Sequence, residues 1–240
     1  MDWPGLATAL SELLSLESPP IAITFLDAVP AGIPTYAGAM PPPTPDGRTG
    51  KLSAGCVFWV HAAERTFTTL PADHGNCSVG SMTHGLLTMQ DAAGKADVAA
   101  LLASGWVTME MVPHIPVVQQ RSACITYGPL AHTPHDPDVV LLRVNPKQVM
   151  ILHDALPSMR LEGKPQCHII AIAKEQQEVA ASVGCMLSRV RTGLPNSQMT
   201  CAVPASRMAE VVERLRATCA ADTTVAAYAA EDARRFSTRQ

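Results

Sequence analysis

The chain lacks the marks of several large protein classes. Charged residues make up only 16% of its 240 positions, the net charge is −3, and its 18 lysines and arginines are scattered, with Arg234-Arg235 as the one adjacent pair. That spacing leaves no basic patch for a nucleic-acid backbone. No apolar run approaches the ~20 residues that cross a bilayer, and no basic stretch precedes the first apolar stripe as in a secretory leader. The expectation is a cytoplasmic protein whose partner is a small molecule, with no nucleic acid and no membrane. Common catalytic signatures are missing too: no G-x-S-x-G elbow, no H-E-x-x-H helix, and no G-x-G-x-x-G turn after a strand. Gly47-Arg48-Thr49-Gly50-Lys51-Leu52 imitates a phosphate loop, but its glycines are too close together. Leu52 also stands where a hydroxyl is needed, and no strand precedes it. Closely spaced C-x2-4-C pairs, the usual ligands of structural zinc, are likewise absent.

What the chain does have is 47% hydrophobic residues, enough for a large core, and seven cysteines. In a reducing compartment an odd cysteine count points to ligands, catalysis or packing before a disulfide framework. Two stretches repeat a pattern. In Gly75-Asn76-Cys77 and in Gly184-Cys185 a cysteine opens seven helix-compatible residues that close on Gly85-Leu86 and Gly193-Leu194. Cys56 precedes Cys77 by 21 positions, and Cys167 precedes Cys185 by 18. Upstream of each pair runs an apolar strand followed by a proline, Ile21 to Leu26 with Pro30 and Val139 to Val144 with Pro146. The pattern predicts a single α+β domain over residues 1–219 made of two pseudo-equivalent αβ halves. The first half covers about 1–130 and the second about 131–219, with an Ala-rich helix or tail at 220–240.

Along the chain, periodicity predicts an amphipathic helix over 4–16 and strands at 21–26, 66–70, 106–111, 123–127, 139–144 and 168–173, with another through Met199, Cys201 and Val203. Helices are expected after Cys56, after Cys77, over 97–103, from Pro146, over 175–181, after Cys185 and from Pro204. The Pro-rich stretch from Pro30 to Gly55 reads as a long loop, either a lid or an excursion.

The opening helix into Pro19-Pro20-Ile21, then Cys56, Cys77 to Leu86, Asp138 to Leu142 with Asn145-Pro146, Cys167, Gly184-Cys185 with Arg189, and Met199 to Leu215 together resemble the uncharacterised ArCR family. The resemblance runs through roughly residues 5–217. It implies a domain of archaea and bacteria, many of them anaerobes, and supplies no reaction.

The chemistry therefore has to come from the residues. Cys77 and Cys185 fall at helix starts, where a thiolate is favoured. If the halves are related by a twofold, these two meet across the axis with Cys56 and Cys167. Four thiols in a reduced compartment match a [4Fe-4S] cluster or, as the alternative, zinc. Single ligands from separate elements suit the cluster better, and the resemblance to a family frequent in anaerobes implies the same. The expected site is thus Cys56, Cys77, Cys167 and Cys185 as cofactor and metal ligands. His84 and Arg189 are the candidate catalytic or substrate-binding groups. An iron–sulfur oxidoreductase or lyase, a non-catalytic ligand or metal sensor, and a metal-free thiol enzyme using Cys77 or Cys185 all remain open, and redox-active Cys56–Cys77 and Cys167–Cys185 disulfides rank below them. Cys124, Cys201 and Cys219 are read as packing. His61, His74 and His168 lie near the cysteines and are read mainly as bystanders, His132 and His135 as a solvated loop, and His153 as a core histidine.

Overall fold

The structure, a computed structural model, describes residues 1–36, 53–163, 165–192 and 195–237. The Pro-rich lid and the phosphate-loop imitation fall largely or wholly outside these residues, as do Gly193 and Leu194.

Asp2 caps the first helix by accepting the Gly5 N–H at 3.0 Å, with Pro4 in the first turn, and α1 runs Trp3–Leu14. Next come β1 (Ile21–Leu26), α2 (Gly55–His61), β2 (Phe67–Thr69), α3 (Ser78–Thr83), α4 (Met89–Ala93), α5 (Ala96–Ala103) and β3 (Cys124–Pro129). They are followed by β4 (Val139–Val144), α6 (Pro146–Ala155), β5 (Arg160–Glu162), α7 (His168–Ala171), β6 (Ala180–Ser182), α8 (Met186–Thr192), β7 (Met199–Pro204) and α9 (Met208–Ser237). The strands form one sheet in the order β2-β3-β1-β4-β7-β6-β5, antiparallel except between β5 and β6. The fold is α+β, a single domain.

Both faces of the sheet are covered. Ala22, Val140, Leu142, Cys201 and Val203 point to one side, into a core shared with α1, α6 and α9. Their neighbours Ile21, Ile23, Val139, Leu141 and Ala202 point to the other, against α2, α7 and the rings of Tyr36, Phe58, Phe67 and Tyr127. Burial on both faces is why β1 and β4 are nearly continuous apolar runs and not alternating ones. Asn145 and Gln148 cap α6 reciprocally, and Gln148 Nε2 donates to the Leu14 carbonyl at 2.8 Å, tying α6 to the end of α1.

The strand ladders repeat in register. β1 pairs β3 from Ile21 opposite Pro129 to Leu26 opposite Cys124, and β4 pairs β7 from Val139 opposite Pro204 to Val144 opposite Met199. Phe67 of β2 then lies opposite Tyr127, and Ala180 of β6 opposite Ala202, each two residues before the proline that ends its strand. Beyond those prolines, Leu130 N–H donates to the Pro20 carbonyl at 2.8 Å and Ala205 N–H to the Asp138 carbonyl at 3.0 Å. Between the two ladders β1 and β4 are antiparallel neighbours, with Ala22 opposite Val140.

Four expectations need correcting. Residues 106–111 are not a strand: the Met111 N–H closes a turn on the Thr108 carbonyl at 3.0 Å, and Val107 packs toward α4 and α5, away from any sheet edge. Residues 168–173 are a short helix running into a wider turn, because an apolar run buried all round has no period that separates helix from strand. The helix expected over 175–181 is the end of that turn followed by β6. His153 is exposed, on the solvent side of α6. The α4 helix was not foreseen. The Ala-rich end continues α9 as an exposed helix to Ser237.

Candidate functional site

Each of the four predicted cysteines sits at the start of a different short helix. Cys56 is in the first turn of α2, Cys77 is the residue that caps α3, Cys167 caps α7, and Cys185 immediately precedes α8. All four cysteines line one cavity of about 30 Å³. Trp59, Leu101 and Trp106 supply apolar wall, while His84, Gln166 and Ser188 supply polar groups. Gln166 Nε2 donates to Ser188 Oγ at 2.8 Å, linking the residue before Cys167 to the helix that follows Cys185.

Local geometry explains the repeated spacing. The six residues of α3 are all buried, and Ser78 gives its N–H and its hydroxyl to the two oxygens of Asp97, at 2.8 and 2.7 Å. Gly80 faces Cys77, where an added Cβ would stand 3.3 Å from Sγ. The unit ends at Gly85 because φ there is +70° and any Cβ would lie 2.5 Å from the Val118 carbonyl oxygen.

Electrostatically the cavity disfavours charge. The Cys167 thiol is held well above its ordinary pKa, first by burial and then by Cys77, with Cys185 and Cys56 adding to it and a hydrogen bond with Thr83 working the other way. Proximity of the other three sulfurs is thus written into its titration. His84 is fully buried, and among the described residues neither ring nitrogen makes a hydrogen bond of ordinary geometry. Burial lowers its pKa to about 4, against a weak opposing pull from the Gly80 carbonyl, so the ring is neutral at pH 7. Its Cε1 stands 3.0 Å from where a Cβ on Gly55 would be, so α2 packs directly on it. His74 lies next, ring centroids 5.8 Å apart, with Nε2 on the Thr69 hydroxyl at 2.9 Å.

Arg189 is engaged with the backbone. Nη1 donates to the Pro195 carbonyl at 2.6 Å, and Nη2 to those of Val183 and Gln198, both at 2.9 Å. It ties together the two segments that flank α8. His61 and His168 are buried near the site; His132 and His135 are exposed. Cys124 and Cys201 are fully buried on strands, and Cys219 Sγ lies 3.3 Å from the Leu13 carbonyl oxygen, all as packing residues. All seven cysteines are thiols. The sequence reading missed Trp59, Trp106 and the Gln166–Ser188 pair, although Gln166 adjoins Cys167 and Ser188 lies on the repeated unit itself.

The donor set is suited to a thiophilic metal, and the test of fit has two sides. The cavity volume is that of one ion or one water. Among the described residues, no three His, Cys, Asp or Glu side chains are already gathered as a donor set.

The sequence model of a family described as uncharacterised ArCR matches residues 9–214, from within α1 to within α9 and through all four cysteines. The chain belongs to the ArCR family. Neither a curated protein nor a solved structure matches it. No helix among the described residues is long and apolar enough to cross a membrane.

Proposed function

We propose that this ArCR protein holds a metal centre on Cys56, Cys77, Cys167 and Cys185, a [4Fe-4S] cluster in the first reading, and acts with it on a small molecule. The observation that carries the reading is that four cysteines from four separate helix starts line one cavity. Twofold-related halves would bring them there, and the matching registers of the β1–β3–β2 and β4–β7–β6 ladders support that relation. When bound, such a centre supplies electrons or a Lewis-acidic iron. The chain contributes the rest. Trp59 and Trp106 exclude water, and His84 offers a neutral imidazole whose ring nitrogens make no hydrogen bond of ordinary geometry among the described residues. Gln166 and Ser188 add hydrogen-bonding groups, and Arg189 holds the backbone on either side of α8.

The cavity volume favours a second reading, a single zinc ion, because about 30 Å³ admits an ion without displacing a wall and a cluster needs one to move. Protein purified without oxygen from cells supplied with iron and sulfide separates the two. Brown protein with iron and acid-labile sulfide in equal amounts is expected. Colourless protein with stoichiometric zinc establishes the second reading, and protein without metal overturns both.

A further inference from the structure

Next to the cysteine cavity lies a larger one that the metal reading does not use. Its volume is about 410 Å³, and its walls come from α3, α4, α5 and the turn segment that follows them. Val79, Met82, Leu101, Leu102, Val107 and Ile115 are among the residues that line it. Gln90 is the single polar residue among those lining it, and no aromatic ring is present. Val79 and Leu101 line both cavities, so one wall separates the chamber from the four thiols.

The hollow opens to the surface, where Met89 and Met109 are 46% and 67% exposed, and a concave apolar recess of this size is the form that ligand sites take. Its making is specific. The sequence Ala-Asp-Val-Ala-Ala-Leu-Leu-Ala of α5 is apolar, yet none of its residues is buried, and Val98, Leu101 and Leu102 all face the empty space. Apolar side chains left partly exposed in a concave recess gain from an apolar occupant that removes them from water. The lining is aliphatic or thioether throughout, with Met82, Met89 and Met109 able to adapt to a flexible occupant. A planar aromatic ligand would find no ring to stack on, and a charged one no counter-charge.

We infer that the chamber binds a linear aliphatic chain, the apolar part of a molecule whose polar end reaches the cysteine cavity past Val79 and Leu101. A cavity of ~150 Å³ accommodates benzene, so by proportion this one holds about 12–16 carbons. The site for the chain stands on the chamber alone, whereas the position of the polar end rests on the metal-centre reading.

The test is calorimetric titration of the full-length protein with octanoic, dodecanoic and hexadecanoic acids. Saturable one-site binding is expected, tighter for the two longer acids, with a negative heat-capacity change. Val98→Trp and Leu102→Trp fill the chamber from a helix that buries no residue, so the thermal midpoint should hold while affinity falls at least tenfold. Val190→Trp, on an exposed position of α8 outside the chamber, should bind as the wild type does. Cys77→Ser should keep the acid while losing metal. Wild type that binds the acid but never holds metal leaves the chamber standing and removes the metal reading. The proposal is overturned if no acid binds saturably, or if both tryptophan variants bind like the wild type. It is also overturned if the protein is a dimer that Met109→Asp dissociates and that never takes up the acid.

Discussion

The two cysteine-led units share a spacing and differ in everything around it. The unit from Cys77 forms α3, all of whose residues are buried, with Ser78 anchored twice to Asp97 and a fully buried His84 at its end. The unit from Cys185 forms α8, on which Met186 is 66% and Val190 82% exposed, and among its described side chains only Ser188 is buried. The difference lies in what was added beside each. The α4–α5 hairpin covers the first unit, and no described element covers the second in that way. One wall of the cavity is therefore set into the core and the facing wall lies near the surface. The exposed wall has fewer packed neighbours to rearrange, so it is the side on which the proposed centre would have to make room. The spacing carries the position of the sulfur at a helix start, and the packing decides how firmly it is held.

The hardest test of the comparison is removal of one ligand from each wall. Cys77→Ser and Cys185→Ser should each lose most of the bound metal, with affinity down by at least about tenfold, since even changes to groups behind the ligands cost roughly 10–100-fold. Cys201→Ser, fully buried on β7, should keep its metal. Metal analysis of the three purified variants reads the result, and full retention by Cys185→Ser would remove the exposed wall from the site.

A second effect belongs to the buried unit alone. The folded-state pKa of His84 is depressed to about 4 from 6.5, so the unfolded chain binds the proton more readily. Its contribution is complete above pH 6.5 and is lost as pH falls toward 4, amounting to about 3 kcal/mol at the acid end. Urea unfolding across that window should show the loss in the wild type and a shallower slope in His84→Gln. Equal slopes would mean that the ring charges in place.

Asp97→Asn should destabilise by about 1–2 kcal/mol, since the carboxylate accepts two hydrogen bonds at the start of α3. Chemical denaturation measures it, and a change below 0.5 kcal/mol, on the scale of an ordinary surface substitution, would show that the hairpin does not anchor this unit. The smallest effect is expected for Val190→Ser, within about 0.5 kcal/mol of the wild type. A larger loss there would mean that α8 is covered after all.

Much of this was readable before any coordinates. β1 and β4 run over the residues expected, because six apolar residues between prolines leave little choice. Asn145-Pro146 starts α6 and Cys77 caps α3 for reasons visible in a few neighbouring residues. Residues 168–173 were misread because burial on every side erases the period, and 106–111 because an apolar stretch belongs to a sheet only if an edge is there to receive it. His153 was misjudged by being placed on the apolar stripe of its helix: which side chains of a helix are buried is decided by the neighbouring elements, and His153 is exposed.

The sequence by itself determined the elements that depend on near neighbours: caps, prolines, apolar runs, the doubled cysteine spacing and hence the four residues worth watching. Only the tertiary structure decided that Cys56, Cys77, Cys167 and Cys185 share one cavity and that Arg189 turns to the backbone. It alone decided that neither ring nitrogen of His84 makes a hydrogen bond of ordinary geometry among the described residues, and that α5 faces a hollow. Those outcomes depend on contacts between segments a hundred residues apart, and a side chain's environment there is set by the volume its distant neighbours leave, which no local pattern encodes.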